Sequence, residues 1–138
     1  MADSLRIFFD CPVGLKQGCI LSCSLFTLFI NEVAVHIENN GVHGVQLQQD
    51  LVEIFLLLFA DDIALMSATV RGLQNQLDCL LNACNSLGLT VNVDKTKVMV
   101  YRKGGFLGKK EKWFLGQQQL EVVNEYVYLG FPLTTTLS

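Results

Sequence analysis

The sequence predicts an α+β fold, with one antiparallel sheet and helices packed on one of its faces. Two stretches have helical periodicity, an apolar run between them is interrupted by adjacent acids, and the last third of the chain is rich in strand-forming residues. Helices and strands that follow one another in blocks, without regular alternation, are typical of this class. A chain of 138 residues is long enough for a single domain with its own core.

The first helix is predicted at about 22–40, where apolar residues recur at every fourth position. Ser22 or Ser24 is the expected N-cap, and Asn40 with Gly41 is expected to end the helix. The apolar positions are Leu21, Leu25, Phe29, Val33 and Ile37.

The second helix is predicted at about 70–87. Thr69 is the expected N-cap, because its hydroxyl can accept a hydrogen bond from the first turn. Gly88 is the expected C′ residue, because glycine adopts the left-handed conformation required there. The apolar stripe consists of Val70, Leu73, Leu77, Leu80, Leu81, Cys84 and Leu87.

A hairpin is predicted between the helices, at about 53–67. Residues 54–60 are apolar throughout, Asp61 and Asp62 follow, and 63–66 are apolar again. This pattern indicates two buried strands with the acids at the turn between them. Further strands are expected at 5–9, 89–93, 98–101 and 120–129.

Charge and hydropathy restrict the possible functions. Ten basic and thirteen acidic residues give a net charge of −3, which argues against a stand-alone nucleic-acid binder. The basic residues of 102–112 suit a solvated loop and a phosphate-facing loop equally well. The densest apolar stretch, 54–60, is far shorter than the ~20 residues that a bilayer requires, so no membrane partner is predicted.

The five cysteines include no CxxC pair, and neither histidine lies near a cysteine pair. The cysteine and histidine ligands of zinc sites lie closer together in the sequence than these residues do. The cysteines are therefore expected to be reduced, mostly buried thiols of an intracellular protein, nuclear or cytoplasmic. No signal peptide is expected at the N-terminus.

Asp61 and Asp62 are the candidate metal ligands. A hairpin turn projects its carboxylates outward while the strands hold them still, and Mg²⁺ prefers such oxygen ligands in phosphoryl transfer. Asp-Asp is also a common turn dipeptide, so this pair taken alone is better explained as an ordinary turn.

Four segments together resemble a known family. Residues 14–22 read GLKQGCILS, 59–62 read FADD, 88–97 read GLTVNVDKTK and 128–130 read YLG. In this order they are similar to motifs B, C, D and E of reverse transcriptases of the non-LTR (LINE-type) retrotransposons. The resemblance covers about residues 7–131.

The resemblance implies part of the palm of an RNA-directed DNA polymerase that uses an RNA template, a DNA primer and deoxynucleoside triphosphates. It implies that Asp61 and Asp62 bind Mg²⁺ and that Lys95 lies near the triphosphate and gives a proton to pyrophosphate. Without the resemblance, Lys95 would be interpreted as a solvated loop residue.

The resemblance also assigns binding residues. Gln17 and Gly18 would contact the incoming nucleotide and the template, and Tyr128, Leu129 and Gly130 would hold the primer end. Interpreted without the family, residues 14–18 form an ordinary turn, and Tyr128 and Leu129 belong to the core.

Two features depart from the family pattern. Cys23 stands where many relatives have proline, which weakens the start of the helix. Only thirteen residues precede Gly14, and Asp10 is too close to motif B to be the aspartate of motif A. Residues 1–138 are thus expected to be a single incomplete reverse transcriptase domain without motif A, fingers or thumb, binding Mg²⁺ weakly or not at all and inactive alone.

Two alternatives remain open at this point. One is a non-catalytic remnant or host-adopted copy of an element, acting as a protein-interaction module through its exposed apolar edge. The other is an unrelated α+β binding domain with an Asp-Asp turn. Whether the chain is part of an enzyme or such a remnant, an exposed sheet edge predicts self-association of the chain.

Overall fold

The computed structural model describes residues 20–40, 43–47, 52–102 and 111–135. Helix α1 (Ile20–Asn39) packs against helix α2 (Val70–Ser86), and ten short strands complete the fold. The strands are β1 (Val45–Leu47), β2 (Val52–Ile54), β3 (Leu56–Phe59), β4 (Asp62–Leu65), β5 (Lys97–Val98), β6 (Phe114–Leu115), β7 (Gln118–Gln119), β8 (Glu121–Val122), β9 (Glu125–Tyr128) and β10 (Phe131–Thr134). The α+β class is confirmed.

The predicted single sheet is wrong for this part of the chain, which forms five two-stranded sheets. Four pairs are antiparallel: β1 with β2, β3 with β4, β6 with β7, and β9 with β10. The pair of β5 and β8 is parallel. Strands of two to four residues offer few ladder positions, and each is paired on one side only.

The predicted hairpin at 53–67 is shorter than expected. The chain changes its partner at Phe55, so that β2 pairs with β1 while β3 pairs with β4. Gly44 allows this arrangement, since a Cβ there would collide with the carbonyl group of Ile54. The hairpin proper is β3–β4, continued by a 2.9 Å hydrogen bond from Met66 N to Phe55 O.

The first helix was predicted at the right position, but the side of the helix predicted to be buried is wrong. Val33 and Ile37 are buried together with Ile30, whereas Leu21 and Leu25 are 66% and 51% exposed. Positions four residues apart advance about 40° around a helix of 3.6 residues per turn. A strict four-residue repeat therefore drifts from the exposed side of α1 to its buried side.

The ends of α1 differ slightly from prediction. The helix begins at Ile20, so Ser22 and Ser24 lie inside it and neither is the N-cap. It ends at Asn39 as expected, and the Asn40 side-chain amide donates to His36 O across 2.7 Å.

No stretch long enough to span a bilayer was expected from the sequence, but helix α1 meets the requirements of length and composition. Leu21–Asn39 has the length and composition of a membrane span, with a mean hydropathy of 1.3. Ile30, Val33 and Ile37 pack in one core cluster with residues of α2. Because core helices of soluble proteins meet the same criteria, length and composition alone do not assign a membrane span.

Helix α2 confirms both predicted caps. The Thr69 hydroxyl accepts a hydrogen bond from Gly72 N at 2.9 Å. Gly88 has a φ of +69°, and its N–H donates to Asn85 O, while Leu89 N donates to Cys84 O. These two bonds satisfy the last carbonyl groups of the helix in a Schellman motif.

The strand predicted at 89–93 is wrong as backbone structure. The chain turns at 92–96 instead: Thr96 N donates to Asn92 O at 3.1 Å, and Lys95 N donates to Asn92 Oδ1. Leu89, Val91 and Val93 are nevertheless half-buried against the core, so their alternation predicted packing correctly.

The later strand predictions are partly right. Of the strand at 98–101, only Val98 pairs, as the end of β5. The strand at 120–129 is divided at Val123 and Asn124 into β8 and β9, and β6, β7 and β10 were not predicted. The strand expected at 5–9 lies outside the described residues.

The core has two parts, both built on α2. One joins α1 and α2; the other surrounds Trp113 and includes Leu77, Leu115 and Leu120. Trp113 Nε1 donates to Val70 O at 3.1 Å, so the β6–β7 hairpin is attached to the start of α2. The β3–β4 hairpin reaches both parts through Leu65.

Candidate active site

The two predicted metal ligands lie at the tip of the β3–β4 hairpin. Asp61 is in the turn and Asp62 is the first residue of β4, opposite Phe59. Both aspartates are exposed. Because strand pairing places Phe59 and Asp62 opposite each other, their side chains lie on the same face of the hairpin.

The two faces of this hairpin differ. Leu58 and Ile63 face each other across the strands and pack in the core. The opposite face carries Leu57 and Phe59, which are 46% and 61% exposed. One face thus holds the hairpin against the helices, while the other presents Asp62 beside exposed apolar side chains.

The turn that carries Asp61 has unusual backbone geometry. Ala60, just before it, has a φ of +52°, in the left-handed region that side chains other than glycine rarely adopt. Such a residue is destabilised by about 1–2 kcal/mol. Among the described residues only one other non-glycine residue, Leu129, has a positive φ. Both unusual residues stand at hairpin tips that the sequence associates with function.

The donor set at this tip fits part of a magnesium site. Mg²⁺ keeps several waters and takes one or two carboxylates together with substrate phosphates. Asp61 and Asp62 supply that number of carboxylates. In the segments that the structure describes, no three His, Cys, Asp or Glu side chains are grouped so that they could hold a metal ion. A site for two ions would need at least one further carboxylate.

A buried glutamine anchors the base of the hairpin and was missed by sequence reasoning. Gln76 is fully buried in α2, and its Nε2 donates to Met66 O at 2.8 Å and to His43 O at 3.1 Å. Its Oε1 has no partner among the described residues. The sequence contains a signal for this role, because Gln76 is a polar residue on the apolar stripe between Leu73 and Leu80.

Lys95 lies in the turn before β5, with its backbone held and its side chain exposed. Its N–H donates to Asn92 Oδ1 at 3.1 Å, and its C=O accepts from the Tyr126 hydroxyl at 3.3 Å. In the described part of the chain its ammonium group has no ion pair, whereas that of Lys97 pairs with Glu121 at 2.7 Å. The Lys95 ammonium is therefore available to an anionic ligand.

The residues predicted to hold the primer form the tip of the β9–β10 hairpin. Tyr128 pairs with Phe131, leaving Leu129 and Gly130 as a two-residue turn with φ values of +51° and +83°. Positive φ at both positions is characteristic of a type I′ turn. Leu129 is 41% exposed, so its assignment to the core is wrong.

The structure connects some of the predicted site residues and not others. Tyr126 joins the turn of Lys95 to the β9–β10 hairpin. No hydrogen bond or ion pair within the described ranges joins Asp61 or Asp62 to either of them. Gln17 and Gly18 lie outside the described residues.

The cysteines that the structure describes do not contribute to this site. Burial raises the pKa of the Cys84 thiol. Burial and, secondarily, the negative charge of Asp78 raise the pKa of Cys79. Both therefore stay protonated and unreactive at neutral pH. Cys23 is exposed, which departs from the expectation of mostly buried thiols, and Cys11 and Cys19 lie outside the described residues.

Comparison with known proteins identifies the family. Residues 5–133 match the family described as reverse transcriptase (RNA-dependent DNA polymerase). This chain belongs to the reverse transcriptase family. The alternative of an unrelated α+β domain is therefore wrong. The four motif-like segments all lie within the matched region, including those outside the described residues.

One relative is described as derived from a transposon. A transposon-derived protein of Caenorhabditis elegans is 37% identical over 78 residues. The match covers 54% of this chain and 26% of that protein, so the matched segment spans about a quarter of the relative's length. No solved structure matches the chain significantly.

Proposed function

We propose that the chain is the motif B-to-E part of the palm of a non-LTR reverse transcriptase. The supporting observation is the placement of Asp61 and Asp62, exposed at the tip of a hairpin whose other face is buried, in a chain of this family. The complete enzyme would add deoxynucleotides to a primer 3′ end along an RNA template.

Each site residue has a role in this proposal. Asp61 and Asp62 hold Mg²⁺, which when bound would neutralise charge on the triphosphate. The primer 3′-hydroxyl gives its proton to water as its oxygen forms a bond to the α-phosphorus, and the bond from that phosphorus to the pyrophosphate oxygen breaks. Lys95 gives its proton to the departing pyrophosphate, a role for which its exposed ammonium group, without an ion pair among the described residues, is suited.

The remaining residues position the substrates. The tip formed by Tyr128, Leu129 and Gly130 contacts the primer end through its exposed leucine and closely approaching backbone. Gln17 and Gly18 would contact the incoming nucleotide and the template, as the family resemblance implies. The open face of the β3–β4 hairpin, with Phe59 beside Asp62, is the side that accepts the primer terminus.

The two aspartates need a further carboxylate for catalysis by two metal ions. We therefore propose that the 138 residues do not extend a primer by themselves. Purified chain incubated with oligo(dT) on poly(rA), dTTP and Mg²⁺ or Mn²⁺ is expected to give no extension. Template-dependent extension that Asp61→Asn abolishes would show that the chain already contains a complete site.

The proposal that these residues carry out catalysis within a complete enzyme is tested in a chimera. Residues 5–133 replace the corresponding motif B-to-E segment of an active reverse transcriptase. Extension is expected in the chimera, loss in its Asp61→Asn variant, and retention with Asp78→Asn, which changes an exposed carboxylate on α2. A soluble, folded chimera without extension would overturn the catalytic proposal.

Exposed apolar surface favours a second candidate, a protein-interaction module derived from an element. Leu28 on α1 is 69% exposed, and Val127 and Phe131 on the β9–β10 hairpin are 65% and 71% exposed. Such residues are typical of surfaces that bind another protein. A folded but inactive chimera would favour this function over catalysis.

A further inference from the structure

The backbone of Lys95 is held from both sides. On one side its N–H donates to Asn92 Oδ1 within the same turn. On the other its carbonyl oxygen accepts from the hydroxyl of Tyr126, which lies 31 residues further along the chain in β9. The first restraint is local, whereas the second reaches a different hairpin.

That hairpin also has hydrogen bonds at its ends. Strands β9 and β10 form a sheet of their own. At the entrance to the hairpin, Val123 N donates to Val98 O at 2.9 Å, and Thr135 N closes it by donating to Asn124 O at 2.9 Å. Within the body of the hairpin, the Tyr126 hydroxyl forms a hydrogen bond to the turn of Lys95.

We propose that Tyr126 is a positioning residue that fixes the Lys95 turn against the β9–β10 hairpin. Through this bond the exposed ammonium of Lys95 and the tip at Tyr128–Gly130 keep a constant relative placement. The assignment of Lys95 to a phosphate ligand rests on the proposed function, whereas the coupling of turn and hairpin does not.

The chemistry of the bond makes the coupling specific to the hydroxyl group. Phenylalanine at position 126 keeps the ring and its packing but leaves the Lys95 carbonyl without this donor. A net hydrogen bond stabilises by about 0.5–1.5 kcal/mol, which corresponds to a two- to tenfold change in a local opening equilibrium. Tyr101→Phe is the matched control, because among the described residues the Tyr101 hydroxyl contacts only Met99 Sδ, at 3.9 Å.

Hydrogen exchange of the full chain tests the coupling. The amide of Thr96, which closes the turn, and the amides of β9 and β10 are followed by NMR in wild type, Tyr126→Phe and Tyr101→Phe. We expect roughly two- to tenfold faster exchange at both places in Tyr126→Phe alone. Equal exchange in all three proteins, or faster exchange only in the hairpin, would overturn the proposal.

A second readout reports on the lysine itself. Lysines are reductively methylated with ¹³C-formaldehyde, the Lys95 signal is identified by its loss in Lys95→Arg, and inorganic pyrophosphate is titrated. Saturation at roughly two- to tenfold higher pyrophosphate in Tyr126→Phe, with Tyr101→Phe unchanged, supports positioning of the ammonium group. A Lys95 signal equally sensitive in all three proteins would show that Tyr126 does not position it.

The two readouts separate this inference from the proposed function. If the Lys95 signal of the wild-type chain does not change when pyrophosphate is added, the phosphate-binding role of Lys95 in the proposed function is wrong. The exchange difference between Tyr126→Phe and Tyr101→Phe would still establish the coupling of turn and hairpin in that case.

Discussion

The side-chain nitrogen of Gln76 donates to the carbonyl oxygen of Met66 across 2.8 Å, linking helix α2 to the residue that follows β4. The same nitrogen also donates to His43 O, the residue before Gly44. Two neighbouring carbonyl oxygens require a donor, so the amide can only be oriented with its nitrogen towards them. One buried side chain thus fixes the base of the hairpin whose tip carries Asp61.

Replacing this anchor is expected to loosen the hairpin. Gln76→Met keeps the length of the side chain but removes both donors, so we expect a loss of about 1–3 kcal/mol in the free energy of unfolding. Urea denaturation measures the loss, and hydrogen exchange should locate it at β3 and β4. Asn75→Met, on the exposed side of the same helix turn, should change stability by less than about 0.5 kcal/mol. Equal effects of the two substitutions would contradict the anchoring role.

The left-handed conformation of Ala60 predicts opposite effects for two alanine-to-glycine substitutions. At position 60 glycine relieves the unfavourable φ, so Ala60→Gly is expected to raise the free energy of unfolding by up to about 1 kcal/mol. At position 64, in the middle of β4, the same change should lower it by about 0.5–1 kcal/mol. Thermal denaturation of both variants checks the direction of each change in stability. If Ala60→Gly lowers the stability, the alanine side chain stabilises the fold by more than its left-handed backbone conformation destabilises it.

The tip of the β9–β10 hairpin predicts a stabilising change as well. Leu129 and Gly130 form a turn that favours Asn-Gly, because asparagine tolerates a positive φ better than leucine does. Leu129→Asn should therefore raise the stability of the hairpin by a few tenths to about 1 kcal/mol, seen as slower amide exchange in β9 and β10. Leu133→Asn, placed within β10, is the control and should have the opposite effect.

The sequence predicted local features well and non-local ones poorly. Thr69 and Gly88 were correctly assigned as caps, because capping depends on residues within one turn of the helix. Strand pairing was not predictable in the same way, since β5 finds its partner β8 more than twenty residues later. The predicted face of α1 failed for a geometric reason, because a four-residue repeat does not stay on one side of a helix.

The same distinction between local and non-local features applies to the candidate site. Asp61 and Asp62 were predicted at a hairpin tip because the apolar run and its interruption are contiguous in the sequence. The restraint on Lys95 depends on Tyr126, 31 residues away, and no local pattern indicates it. Gln76 is intermediate: its polar character within an apolar stripe indicates a buried partner, but the identity of that partner requires the fold.

Metal binding by the isolated chain is expected to be weak. Asp61 and Asp62 offer two adjacent, exposed carboxylates, and Mg²⁺ needs phosphates or further carboxylates to give up more of its waters. Calorimetric titration should give a dissociation constant in the millimolar range or no measurable heat. Asp61→Ala should remove whatever binding is seen, and Asp78→Ala should not. Micromolar affinity that depends on Asp61 would mean that another ligand completes the site.

Self-association is the last expectation, and the β3–β4 hairpin is its main cause. In the described structure β3 and β4 pair only with each other, so each has a free edge of unpaired N–H and C=O groups. Natural proteins protect such edges with charges, prolines or a covering element. Between Leu56 and Leu65 the charged residues are Asp61 and Asp62, both at the tip, and proline is absent. Strand β3 itself carries Leu57 and Phe59 exposed.

We therefore expect the chain to form dimers or larger species at micromolar concentration, measured by size-exclusion chromatography with light scattering. Leu57→Lys places a charge on the open face of β3 and should shift the population towards monomer, because like charges then oppose each other when two hairpins pair. Leu28→Lys, on the exposed face of α1, distinguishes the alternative: if it produces monomer and Leu57→Lys does not, the helix is the contact surface. A wild-type chain that elutes as a stable monomer with a cooperative melt would mean that the edge is already covered.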